Sequence, residues 1–241
     1  MQLQNILSYV RRAVQDYQMI ETGDRIAVGI SGGKDSLVLA LALSHLKKFY
    51  PKSFELMAIS VSLGFPEFDL SLVKAYFEEL DIPFIVCETQ IADIIFKERK
   101  ETNPCSLCSK MRKGALYQTA TKYECNKVAL GHNKDDINES FLMSLFYEGR
   151  IHTMPPVNYM DQVNLHIIRP LIYLPETSIR GFAYKNALPV VKSPCSADGH
   201  TKRETTKQLI SSLKEGFPRL DERLFGAIQR SQIEGWFQKE E

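Results

Sequence analysis

Ser31-Gly32-Gly33-Lys34-Asp35-Ser36 places two glycines, a lysine and hydroxyls between an apolar strand-like run, Ile26 to Ile30, and a Leu/Ala-rich helix-like run, Leu37 to Leu46. A turn of that kind presents the unpaired N–H groups of a helix N-terminus, which form a ready anion site. Gly32 and Gly33 let the backbone close on a phosphate with no Cβ in the way, Lys34 adds a point charge, and Ser31 and Ser36 add donors. The run departs from the Walker A pattern, which wants a glycine six residues before the lysine and Ser or Thr directly after it. Val28 and Asp35 stand there instead. An acidic side chain beside bound phosphates repels them unless a divalent cation lies between, so Asp35 points to Mg²⁺ bound with the nucleotide. The plainer alternative is a tight strand-to-helix turn with an incidental lysine.

A second constellation is Asn103-Pro104-Cys105-Ser106-Leu107-Cys108, followed by the helix-like Ser109 to Tyr123. Asn is a good helix cap, Pro suits the first helical position, and the residue before Pro is steered to extended backbone. Cys105 and Cys108 then share one face of the first turn, where the helix dipole with Lys110, Arg112 and Lys113 favours thiolates. Two thiolates three residues apart suit zinc, an iron–sulfur cluster or dithiol redox chemistry, and two packing thiols are the bland alternative. Pro194-Cys195, in a polar stretch, is the best third ligand. Cys87 and Cys125 read as packing residues. Three thiolates leave one metal position open: for zinc it falls to His200 or water, and for a cubane cluster one iron stays free.

The third constellation is Gly131-His132-Asn133-Lys134-Asp135-Asp136, at the expected end of a strand. His132 read alone is a satisfied strand-end residue, and Asp135 and Asp136 read alone cap and charge a helix start. Together, at the carboxyl end of a strand in a nucleotide-binding sheet, they point to ATP, its metal or the reacting atom.

The elements that must position these groups alternate along the chain. Strand-like runs cover Ile26 to Ile30, Phe54 to Ser62, Phe84 to Cys87, Lys127 to Gly131 and Leu165 to Ile168, with helix-like runs at Ser71 to Leu80 and Asp135 to Tyr147. This rhythm predicts an open, mainly parallel α/β sheet with ligands at the carboxyl ends of its strands. Met1 to Ile20 reads as an N-terminal helix, residues 21–193 as the sheet domain, and residues 194–241 as a small helical region carrying Cys195. The chain has 241 residues, 30 basic and 29 acidic side chains, and a net charge of +1, so a polyanionic partner must be met by a local patch. Lys97, Arg99, Lys100, Lys110, Arg112 and Lys113 near the cysteine pair, and Lys202, Arg203 and Lys207 after Cys195, are such patches or plain solvated faces. The N-terminus lacks a signal-peptide core and no apolar stretch approaches the roughly 20 residues of a membrane span, so a soluble cytoplasmic protein is expected. Five cysteines in a chain of this length do not resemble a disulfide framework.

The run at 31–36 resembles the PP-loop of the N-type ATP pyrophosphatases, which cleave ATP between its α and β phosphates and adenylate a substrate. That resemblance implies a Rossmann-like parallel sheet with helices on both faces. With Pro-Cys-Ser-Leu-Cys-Ser at 104–109 followed by Arg112 and Gly114, and Gly-His-x-x-Asp-Asp at 131–136, the chain is similar to the tRNA 2-thiocytidine synthases. Gly64-Phe65-Pro66-Glu67, Phe146-Tyr147-x-Gly149 leading to Met154-Pro155-Pro156, and Ile168-Arg169-Pro170-Leu171 extend the likeness over roughly Ile20 to Arg230.

The likeness implies a [4Fe-4S] cluster on Cys105, Cys108 and Cys195. It also implies adenylation of the C2 oxygen of a tRNA anticodon-loop cytidine, at position 32, followed by sulfur insertion that yields 2-thiocytidine, AMP and pyrophosphate. Ser31, Gly32, Gly33, Lys34 and Ser36 would hold phosphates, with Gly131 and His132 beside the nucleotide. Lys34, Asp35 and Asp135 or Asp136 would serve the chemistry, and a cysteine desulfurase persulfide or inorganic sulfide would supply sulfur to a homodimer.

Two departures stand out. Many relatives carry a second Cys-x-x-Cys near the carboxyl end, whereas Asp198 holds that spacing after Cys195. The zinc-finger cysteines of the related 2-thiouridine enzymes are also missing, which argues against that branch. The competing readings are a thiouridine synthase, another PP-loop ligase or amidotransferase, and a zinc-stabilised RNA-binding module.

Overall fold

The computed structural model describes residues 1–65, 67–99, 104–192, 194–195 and 202–236. Pro66, Lys100, Asn103, Asp198 and His200, all brought forward by the sequence, lie outside the described residues.

Six strands form one sheet in the order β3-β2-β1-β4-β6-β5. They are β1 Asp24–Ile30, β2 Phe54–Ser62, β3 Phe84–Glu88, β4 Lys127–Ala129, β5 Val157–Met160 and β6 Leu165–Ile168. β1 runs parallel to β2 and β4, β2 to β3, and β4 to β6, as the βα rhythm predicts. Only the edge strand β5 is antiparallel, hairpinned onto β6 through Asp161–Val163 and the left-handed Asn164. That strand has four residues, none fully buried, so its sequence carries no period that announces it. From Ile26 to Ile30 β1 carries no polar side chain, because helices cover both sheet faces.

One face is covered by α1 Leu3–Asp16, α2 Lys34–Lys47, α3 Ser71–Glu79 and α7 Glu176–Lys185, whose apolar side chains share a single buried cluster with the sheet. α1 contributes Ile6, Val10, Ala13 and Val14, a stripe at helical spacing. The other face is covered by α4 Ile91–Asp93, which runs on as a π-helix Ile94–Glu98, and by α5 Pro104–Lys122. α5 starts at Pro104, the first helical position expected of that proline, and so includes both cysteines. α6 Lys134–Glu148 opens after β4 and ends on the left-handed Gly149.

α8 Lys202–Gly216 and α9 Leu220–Gln229 pack against α6. Beyond α9, Trp236 is 1 % exposed, meets Tyr17 and Phe225 edge to face, and donates its Nε1–H to the Met154 carbonyl. Phe225, Ile228 and Trp236 therefore bury themselves in the same core as α1.

The strand order reverses direction at β1 and β4, the switch point of the sheet. A crevice opens at the carboxyl ends of strands there. Both the turn after β1 and the loop after β4 end in that crevice.

Candidate functional site

The turn after β1 has the geometry its glycines predict. Gly32 is left-handed at φ +79°, and its carbonyl accepts a hydrogen bond from Val191 N–H at 2.9 Å. Gly33 caps α2 in extended backbone. Ser36 Oγ donates to the Gly33 carbonyl at 2.9 Å and accepts from Ser31 N–H at 3.3 Å, and Ser31 Oγ accepts from Gly33 N–H at 3.3 Å. The two hydroxyls thus brace the turn while its first helical N–H groups remain at the crevice. Gly131 lies against this turn: a Cβ there would sit 3.0 Å from the Asp35 carbonyl carbon and 3.1 Å from Ser36 N, so only glycine lets the β1 and β4 loops touch.

A cleft of about 220 Å³ lies between them. Lys34, Asp35, Asn133, Asp135, Asp136, Glu139, Glu176, Arg203, Glu204 and Lys207 line it. Lys34 Nζ binds Asp35 at 2.8 Å and Glu176 at 2.9 Å. Burial alone would lower the Lys34 pKa, but the two carboxylates raise it. Glu176 also binds Lys207 at 2.6 Å and Arg180 at 3.2 Å. Burial works to raise its pKa, yet Lys207 and Lys34 bring it down to about 2. Arg203 meets Asp136 at 2.8 Å and Glu139 at 3.3 Å. Burial pushes Glu139 up to about 7 against the pull of Arg203, and burial likewise raises Asp136.

Asp135 and Asp136 charge the first turn of α6, and both line the cleft. Asn133 caps α6 by accepting from Asp135 N–H at 2.9 Å and Asp136 N–H at 3.2 Å, and Asp136 Oδ2 accepts from Asn133 N–H at 2.9 Å. Asp135 Oδ2 accepts from Glu176 N–H at 2.7 Å and so caps α7 as well. Asn133 Nδ2 donates to Asp35 Oδ1 at 3.1 Å, which ties the β4 loop to the β1 turn.

His132 does not line the cleft. Its Nδ1 is buried with no hydrogen-bond partner among the described residues, and burial, then Arg169, Arg203 and Lys113, lower its pKa.

Cys105 is exposed, and Cys108 and Cys195 are partly exposed. The Cys108 thiol is raised by burial above all, with Cys195 and Cys105 adding to this and Arg112 opposing it. Cys195 therefore comes close enough to the α5 pair for its charge to be felt. The expectation that dipole and basic neighbours hold this thiol as thiolate is corrected for Cys108, because burial outweighs them. Among the described residues no three His, Cys, Asp or Glu side chains are gathered closely enough to hold a metal ion. Three thiols nevertheless fit a soft metal or cluster in donor chemistry. Cys125 is buried, with its Sγ 3.4 Å from Met57 Sδ, as a packing residue should be.

Glu139, Glu176 and the buried Arg169 were not recognised as site groups from sequence. Pro175-Glu176, opening a helix just after a strand at the ligand end of the sheet, was the available signal. Arg203 and Lys207, expected beside the cysteines as a basic patch, instead face the cleft, while Lys202 packs over the Tyr147 ring. Their spacing of four residues on one helix face was the cue.

The PP-loop domain family matches residues 5–213. A tRNA-cytidine(32) 2-sulfurtransferase of Teredinibacter turnerae is 38 % identical over 226 residues, spanning 92 % of this chain and 74 % of that protein. Its counterpart from Syntrophotalea carbinolica is 37 % identical over 222 residues, spanning 90 % and 85 %. The chain belongs to the tRNA-cytidine(32) 2-sulfurtransferase family of PP-loop proteins. Among solved structures, the U34-tRNA thiolase NcsA from Methanococcus maripaludis with its [4Fe-4S] cluster superposes with a TM-score of 0.72 at 25 % identity, covering 94 % of this chain and 80 % of that one. No helix among the described residues is long and apolar enough to cross a membrane.

Proposed function

We propose that this chain is an ATP-dependent tRNA sulfurtransferase that converts cytidine 32 of tRNA into 2-thiocytidine. One observation carries the reading: Arg203 binds Asp136 in the cleft at 2.8 Å and its charge reaches Lys113 and His132, while Lys113 also feels Arg112, whose charge reaches Cys108. A base entering between these groups meets both halves of the reaction, so positioning replaces diffusion.

In this reading Lys34 and the N–H groups opening α2 bind the phosphates of ATP, with Ser31 and Ser36 bracing the turn. The cleft carries six carboxylates against Lys34, Arg203 and Lys207, which favours a divalent cation entering with the nucleotide. Mg²⁺ needs only one or two carboxylates besides phosphates and water, and Asp35 with Asp135 or Asp136 meets that demand. The cytosine C2 oxygen attacks the α-phosphate, pyrophosphate leaves, and the resulting AMP ester makes that oxygen a leaving group. Sulfur then bonds to C2 as the C2–O bond breaks and AMP departs. Cys105, Cys108 and Cys195 would hold a [4Fe-4S] cluster, which when bound supplies an iron position for the incoming sulfur.

The test is nucleoside mass spectrometry of tRNA from a strain lacking the protein, complemented with wild type or Lys34→Ala. Loss of 2-thiocytidine, restored by wild type alone, is expected. Loss of 2-thiouridine with 2-thiocytidine intact would move the chain to the U34 branch, and no change in either would refute tRNA thiolation.

A further inference from the structure

Arg169 follows β6 at the ligand edge of the sheet and is 8 % exposed. Its Nη1 donates to the Pro155 carbonyl at 2.5 Å, but its buried Nε has no acceptor among the described residues. No carboxylate among the described residues offsets the charge, and burial lowers its pKa to about 10. A buried guanidinium lacking a counter-ion is costly, and one carbonyl does not neutralise it.

Other basic groups crowd the same space. His132 keeps its Nδ1 buried and unpartnered, and Lys113 on α5 is felt by both His132 and Arg169. Burial and repulsion from Arg169, Arg112 and Arg203 act together on Lys113. None of Arg169, His132 and Lys113 lines the cleft at the PP-loop. The fold thus holds Arg169 and Lys113 where they repel, and an anion placed between them would be attracted to both.

We propose that Arg169, with Lys113 and the His132 ring, forms a second phosphate subsite between the PP-loop cleft and the cysteines. A guanidinium presents a planar fork suited to two phosphate oxygens, and the imidazole and ammonium close the remaining sides. The ligand is one phosphoryl group, either the α-phosphate of the nucleotide or a phosphodiester of the RNA. The subsite rests on the thiolation reading for its choice of RNA as a probe.

The experiment uses the full chain without a cluster, so binding is read independently of turnover. Calorimetry compares AMP with adenosine, and fluorescence anisotropy follows an anticodon stem-loop RNA across a series of salt concentrations. Wild type, Arg169→Gln, Arg169→Lys and Lys113→Met are compared, with thermal unfolding recorded for each.

A nucleotide phosphate at the subsite lowers the preference for AMP over adenosine about tenfold in Arg169→Gln, with partial recovery in Arg169→Lys, and leaves the RNA salt dependence intact. An RNA phosphate instead leaves the AMP preference intact and reduces the slope of log K against log salt by about one. Folded variants that match wild type in both readouts overturn the subsite and spare the thiolation reading. A wild-type protein that binds neither AMP nor RNA overturns both. Lys113 is more exposed than Arg169, so if Arg169→Gln does not fold, Lys113→Met decides alone, and unchanged preference and slope in it overturn the proposal.

Discussion

Glu176→Gln tests how the cleft is held together. The carboxylate is 14 % exposed and accepts from Lys34 at 2.9 Å and Lys207 at 2.6 Å. Burial opposes its charge, yet these two cations carry its pKa from 4.5 down to about 2. At about 1.4 kcal/mol per pKa unit, that depression corresponds to roughly 3 kcal/mol of folded-state stability at neutral pH. A depressed carboxylate contributes fully above its unfolded value and loses the contribution as pH falls toward the folded one, so the window runs from 4.5 down to about 2.

Gln keeps the shape and removes the charge, leaving Lys34 to Asp35 and Lys207 without its anion. Urea unfolding at pH 7 is expected to show a loss of about 1–3 kcal/mol. The gap between variant and wild type should narrow by about 1 kcal/mol when the comparison is repeated at pH 3.5, because the wild-type carboxylate then yields part of its advantage. A gap below about 0.5 kcal/mol at pH 7, or one that does not change with pH, would refute the reasoning.

Three further outcomes are expected. Lys127→Met should cost about 3–5 kcal/mol in urea unfolding, because Lys127 pairs with buried Asp24 at 2.7 Å; adding Asp24→Asn should recover much of it, and a loss under 1 kcal/mol would count against the pair. Gly131→Ala should weaken ATP binding by calorimetry on the order of tenfold, since its Cβ would press 3.0 Å from the Asp35 backbone and part the two loops; unchanged affinity would mean the loops need no contact. Anaerobic reconstitution should load about four iron per chain into wild type, Cys87→Ser and Cys125→Ser, but little into Cys105→Ser, Cys108→Ser or Cys195→Ser; zinc in place of iron would favour a structural metal.

The local pattern of this chain settled the elements whose chemistry is local. Gly32, Gly33 and Lys34 announce a phosphate turn because a left-handed residue, an extended cap and a helix start are each decided within a few residues. β2 and β6 were legible to the residue because burial on both faces makes a strand mostly apolar, broken only by residues such as the exposed Glu55 and His166 and by small serines. The four-residue β5 and the π-helical turn at Ile94 to Glu98 were not, since their conformation follows from what they pack against.

Charge pairing was equally hidden. Asp24 and Lys127 sit 103 positions apart, and Lys34 meets Glu176 only because β1 and β6 flank β4 and end at the same edge. Arg203 and Lys207 read as a solvated basic face until α8 packs on α6 and turns them toward Asp136 and Glu176. A sequence displays which residues can carry charge, nucleophile or thiol. Which of them share a dielectric, and so which pKa values move and which cations stand without an anion, is decided by the layers that bury them.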